Sequence, residues 1–171
     1  MDKISKNSVS LAGEFAVLSQ LVLRGYDANM TLGHTKGVDI LVSDPKSNKM
    51  FKVEVKTSYA SKPSRAKLFG LTLSWMMMEK HEGLSDQNLY YCFVNIEKQT
   101  NIFRFFIVPS SVVAEYVRVQ HRFWLDHHPT LSDREKEIPM RQFRIGLDGG
   151  GYQISTPLAE KYENKWSFNK K

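Results

Sequence analysis

The chain has 171 residues, 42% of them hydrophobic, enough for one domain with a core of its own. Lysine and arginine outnumber aspartate and glutamate by 24 to 18, and a net charge of +6 favours polyanionic partners. A single cysteine, Cys92, excludes an internal disulfide framework and a cysteine metal cluster; with no long apolar run and no leader-like start, a soluble, cytoplasmic protein is expected, away from membranes.

Residues 8–24 are predicted to form the first helix. Leu11, Phe15, Leu18, Leu21 and Val22 recur on one helical face, Ser8 or Ser10 offers a cap, and Gly25 stops the helix. A short strand over 26–32, a glycine-bounded loop over 33–37 and an apolar strand over 38–43 follow. Residues 44–49 have turn composition. The clearest strand covers 50–57, where Phe51, Val53 and Val55 alternate with Lys52, Glu54 and Lys56. Residues 58–67 read as a polar, basic connection, 68–73 as a strand, and Ser74 as the cap of a helix reaching Glu82, closed by Gly83.

The apolar runs 88–96 and 102–108 form a predicted hairpin. A helix from Pro109 or Ser110 to Arg122 comes next, then a polar stretch read as a surface insertion around 123–142. Short strands at 143–147 and 152–155 surround Asp148-Gly149-Gly150-Gly151, and Pro157 opens a last helix that ends before Lys170-Lys171. The order implies an α/β fold over 1–171, a central mixed sheet flanked by helices in one domain.

If strands 38–43 and 50–57 pair as a hairpin whose turn is centred between Lys46 and Ser47, Asp39 stands directly across from Glu54. Opposed side chains on one face start about 5 Å apart, so two carboxylates there repel unless a cation neutralises them. Lys56 follows Glu54 by two residues and shares its face. Glu14 falls on the stripe of Leu11, Leu18 and Leu21, where a charge needs a partner. The plainer readings are a solvated Lys52-Glu54-Lys56 face and a glutamate at the edge of a helical stripe.

Taken in order, Gly13-Glu14, Gly37-Val38-Asp39 and Val53-Glu54-Val55-Lys56-Thr57-Ser58 resemble the core of the PD-(D/E)XK nuclease superfamily. Val38 departs from the superfamily's nominal proline before the aspartate, and nothing beyond Ser58 points to a subfamily. The resemblance implies a restriction-endonuclease-like core in which Asp39, Glu54 and the Val55 carbonyl hold magnesium or manganese. It further implies that Lys56 orients or helps deprotonate the attacking water and offsets phosphate charge, while Glu14 holds a second ion or its water. The activity implied is a magnesium-dependent endonuclease hydrolysing DNA, and a double-strand cut makes a homodimer plausible. The alternatives are an inactive nucleic-acid-binding or interaction module on the same fold, and an unrelated α/β domain.

Lys62, Arg65 and Lys67 follow the candidate strand and are expected to contact backbone phosphates, along with His34 and Ser58. Other attractions fail on context. Asp126-His127-His128 lacks the aspartate motifs that precede the triplet in DHH phosphoesterases, and His81-Glu82 lacks the second histidine of a zinc-protease helix. Trp75-Met76-Met77-Met78 reads as packing, and the glycine run 149–151 leads to Tyr152-Gln153-Ile154 rather than to a helix start.

Overall fold

The computed structural model describes residues 4–31, 37–60, 62–128, 130, 132, 137–149 and 152–168. Helix α1 (Lys6–Val22) is followed by β1 (Asp27–Met30), β2 (Ile40–Asp44) and β3 (Lys49–Ala60). Next come β4 (Ser64–Ala66), β5 (Gly70–Met78) and a single 3-10 turn, Glu79–Glu82. The hairpin β6 (Leu89–Glu97) and β7 (Phe103–Pro109) leads into α2 (Ser110–Asp126), β8 (Met140–Gly146) and a one-turn helix, α3 (Ala159–Tyr162).

Every residue of β6 from Leu89 to Ile96 is buried, and a strand apolar on both faces needs a layer on each. The main sheet runs β1-β2-β3-β6-β7, with β3 and β6 parallel and the other neighbours antiparallel. One of its faces, carrying Val53, Val55, Tyr90, Cys92 and Val94, packs against Val17 and Leu21 of α1. Its other face, carrying Tyr91, Phe93, Phe106 and Val108, packs against a second antiparallel sheet, β4-β5-β8, and against α2. The chain thus has an α/β fold, a mixed five-stranded sheet flanked by helices. No helix among the described residues is long and apolar enough to cross a membrane.

The first helix begins earlier than expected, because the Ser5 hydroxyl accepts the Ser8 amide at 3.0 Å. Its buried stripe is also rotated. Gly13, Val17 and Leu21 face the sheet, whereas Leu11 is 47% and Phe15 58% exposed. Gly13 decides the rotation, since a Cβ built there would lie 1.9 Å from the Thr57 Oγ1, and only a bare backbone lets the helix settle on β3.

The helix expected over 74–82 is a strand through Met78, with helical turn only from Glu79. Methionine favours helices weakly, but Leu73, Trp75 and Met77 are buried while Met76 and Met78 are exposed, a period of two. Pairing with β4 and β8 on either side overrides propensity. Helix α2 runs past Arg122 to Asp126, and β8 begins at Met140, so the expected insertion is partly regular structure. The strand expected over 152–155 is absent among the described residues. The last helix is one turn, ended by Asn164 at φ 54, after which Trp166 and Phe168 join the core on the α1 side.

Candidate active site

Strands β2 and β3 pair from Ile40 opposite Val53 to Asp44 opposite Lys49, the register of a turn centred between Lys46 and Ser47. Extended one step, that register sets Asp39 across from Glu54. The ladder stops there. The Asp39 amide donates to the Val53 carbonyl at 2.9 Å, and the Asp39 Oδ2 accepts the Val55 amide at 2.7 Å, so a side chain takes over where backbone pairing ends. Gly37, at φ 75, turns the chain into this corner, and a Cβ there would meet the Glu54 Oε2 at 3.4 Å.

Glu54 points toward the second sheet and is 3% exposed. Its Oε1 accepts from the Lys56 ammonium at 2.6 Å and lies 3.4 Å from the His81 Nε2. Its Oε2 is buried, with no hydrogen-bond partner among the described residues. Burial pushes this carboxyl up, but the His81 hydrogen bond and the Lys56 charge outweigh it and bring the pKa down to about 2. Tyr91 is the register partner of Glu54 on β6, and burial followed by the Glu54 charge pushes its phenol far up.

Asp39 and Glu14 move the other way. Burial raises the Asp39 pKa, opposed by the Val55 amide and by Lys56, and the Glu54 charge adds to the rise. Glu14 is raised by burial first and then by the charge of Asp39, against the Ser10 hydroxyl that donates to it at 3.2 Å and against Lys56. Three carboxylates and one ammonium therefore act on one another at the end of the β2–β3 ladder. Glu14 reaches it because Gly13 brings α1 against Thr57. Among the described residues, no three His, Cys, Asp or Glu side chains are gathered as ligands of one ion.

The candidate phosphate contacts are more scattered. Ser58 lies two residues beyond Lys56 on β3 and is half-buried, while Lys62 and Lys67 are exposed on either side of β4. Arg65 is held by Asp148 at 3.0 Å. His34 lies outside the described residues. The sequence reading missed His81, Lys80 and Tyr91. The 3-10 turn after β5 sends His81 inward onto Glu54 and leaves Lys80 exposed, with its charge acting on Asp39. An alternating reading carried through Met78 would have ended β5 just before these two residues.

No family model and no curated protein matches the chain. Among solved structures it is similar to a bacterial homing endonuclease, I-Ssp6803I, with 13% identity, a TM-score of 0.50, and coverage of 96% of this chain and 90% of that one. At this identity the likeness is one of fold. The chain shares the α/β architecture of that endonuclease over nearly its whole length.

Proposed function

We propose that this protein is a divalent-cation-dependent endonuclease of the PD-(D/E)XK superfamily, hydrolysing DNA phosphodiester bonds. The observation that carries the reading is the convergence of Asp39, Glu54 and Lys56 at the end of the β2–β3 ladder, with Glu14 brought to it by α1. The donor set suits a hard cation: all the acids offer oxygen, Asp39 and Glu14 ionise against burial and mutual repulsion, and the Glu54 Oε2 is buried and unpaired among the described residues. Asp39, Glu54 and the Val55 carbonyl would hold magnesium or manganese, and Glu14 would hold a second ion or a metal-bound water. A cation bound there would polarise the phosphate and make a water more acidic.

The chain's own groups supply the rest. Lys56 is held by Glu54 at 2.6 Å, close to both other acids, and its ammonium orients the attacking water and offsets charge on the scissile phosphate. Lys80, which acts on Asp39, adds positive charge to the corner. The exposed Lys62 and Lys67, with Arg65, Ser58 and His34, contact backbone phosphates and set position rather than sequence. The endonuclease-like fold supports DNA as the substrate, and a homodimer would provide the second site for a double-strand cut.

Incubation with plasmid, single-stranded and branched DNA, with and without magnesium, tests the proposal. Wild type should cleave only with the cation, and Glu54→Ala and Lys56→Ala should each be slower by about 100-fold or more. Cleavage by Lys56→Ala at the wild-type rate would sink the assignment. Salt-sensitive DNA binding without any cation-dependent product would favour the binding module instead.

A further inference from the structure

We infer that His81 is a positioning residue for Glu54: its Nε2–H holds Oε1 and leaves Oε2 as the oxygen free to take a cation. The inference rests on the nuclease reading above and adds to it a residue outside the first sixty positions.

A glutamate's terminal torsion is broad and two-fold, so a carboxylate held by one flexible partner can exchange its two oxygens. Lys56 is such a partner, an ammonium on a four-carbon stem. His81 is not. It is 1% exposed, its ring lies edge-on to Tyr91 with centroids 5.9 Å apart, and its Nδ1 is 3.0 Å from the Met78 amide nitrogen and 2.8 Å from the Met78 carbonyl. Whether Nδ1 accepts from that amide or donates to that carbonyl, an ionised carboxylate on the other side of the ring requires a proton on Nε2.

The turn that carries His81 is itself anchored. Buried Arg141 of β8 donates to Glu82 and also to the carbonyls of Ile138 at 2.6 Å and Met140 at 3.1 Å, and the Glu79 amide donates to the Pro139 carbonyl at 2.8 Å. A chain of fixed groups thus runs from β8 through the turn and His81 to one oxygen of Glu54. Lys56 and His81 both meet Glu54 at Oε1, and Oε2, which a Cβ at Gly37 would meet at 3.4 Å, has no hydrogen-bond partner among the described residues. Hydrogen bonds that orient a ligating carboxylate in this way raise metal affinity without touching the metal.

The discriminating pair is His81→Phe, which keeps a flat ring beside Tyr91 but removes the donor, and His81→Gln, which keeps an N–H near the position of Nε2. Mn2+ affinity is read without DNA from the paramagnetic resonance of the free ion, alongside single-turnover cleavage as a function of Mn2+ and thermal unfolding. His81→Phe should weaken Mn2+ binding by about 10- to 100-fold and raise the Mn2+ needed for half-maximal cleavage by the same factor. His81→Gln should restore most of the affinity. Wild-type affinity in His81→Phe overturns the inference, whatever happens to its melting temperature, and so does a Gln variant as weak as Phe. Should His81→Phe fail to fold, the imidazole 15N spectrum of wild type decides: a protonated Nε2 is expected, and a bare one overturns the inference. Wild type that neither binds Mn2+ nor cleaves sinks the nuclease reading itself, whereas unchanged binding in His81→Phe sinks His81 alone.

Discussion

The two sides of the main sheet are built in different ways. On one side, α1 covers strands that follow it directly in sequence, through Gly13, Val17 and Leu21, and the interface is apolar apart from the Thr57 hydroxyl at Gly13. On the other side, the cover is assembled from β5, β8, α2 and the 3-10 turn, and into it points an ionised glutamate held by a lysine and a histidine. The first side delivers an acid, Glu14, by letting a backbone come close; the second fixes an acid, Glu54, by surrounding it. Local sequence suffices to place a charged group near a site, but long-range packing sets its orientation.

The largest expected effect tests whether the second sheet is a packed layer rather than an appendage. Trp75 packs on Phe93 and Phe106 with ring centroids 5.1 and 5.8 Å away, and its indole donates to the Val94 carbonyl at 2.9 Å. Trp75→Ala should cost about 3–5 kcal/mol in denaturant unfolding. A loss under about 1 kcal/mol, within the range of a surface change, would mean that the two sheets do not share a core. The matching change on the α1 side is smaller and has a diagnostic sign. At an exposed helical position, Gly→Ala stabilises by about 1 kcal/mol. Gly13→Ala should instead destabilise by about 1–3 kcal/mol, because the new methyl meets the Thr57 side chain, and it should also slow cleavage by moving Glu14 away. A variant at least as stable as wild type would show that α1 does not rest on β3 through this glycine.

The same contrast explains what could be read from the sequence. The turn composition of 44–49 and the alternation along β3 fix the register that faces Asp39 with Glu54, because both are local. The fold class followed from the order of elements. The orientation of α1 was misread because Leu11 and Phe15 outweigh Gly13 in any count of apolar side chains, although the glycine makes the closest approach. Strand β5 was misread because Ser74 and three methionines suit a helix, and only its two neighbours in the second sheet make it a strand. His81 was illegible for a further reason: its partner lies 27 residues away, and no local pattern links them.

The smallest expected effect concerns the electrostatic cost of the corner itself. Burial raises the Asp39 pKa above its ordinary value of 3.8, and Glu54 adds to the rise. A group raised on folding contributes stability below its unfolded pKa and loses that contribution as pH climbs through the folded value. At neutral pH Asp39 is therefore a net burden, carried for the sake of the site. Asp39→Asn keeps a carbonyl oxygen to accept the Val55 amide but discards the charge. Without divalent cations at pH 7, the variant should melt above wild type. The advantage should fade as pH falls and be lost well below 3.8, where both side chains are neutral. Magnesium should then raise the melting temperature of wild type and not of the variant, closing the gap at pH 7 while only wild type cleaves DNA. An Asp39→Asn protein that melts lower than wild type at neutral pH would mean that the charge on Asp39 is already compensated within the fold, and that the corner has no electrostatic deficit for a cation to fill.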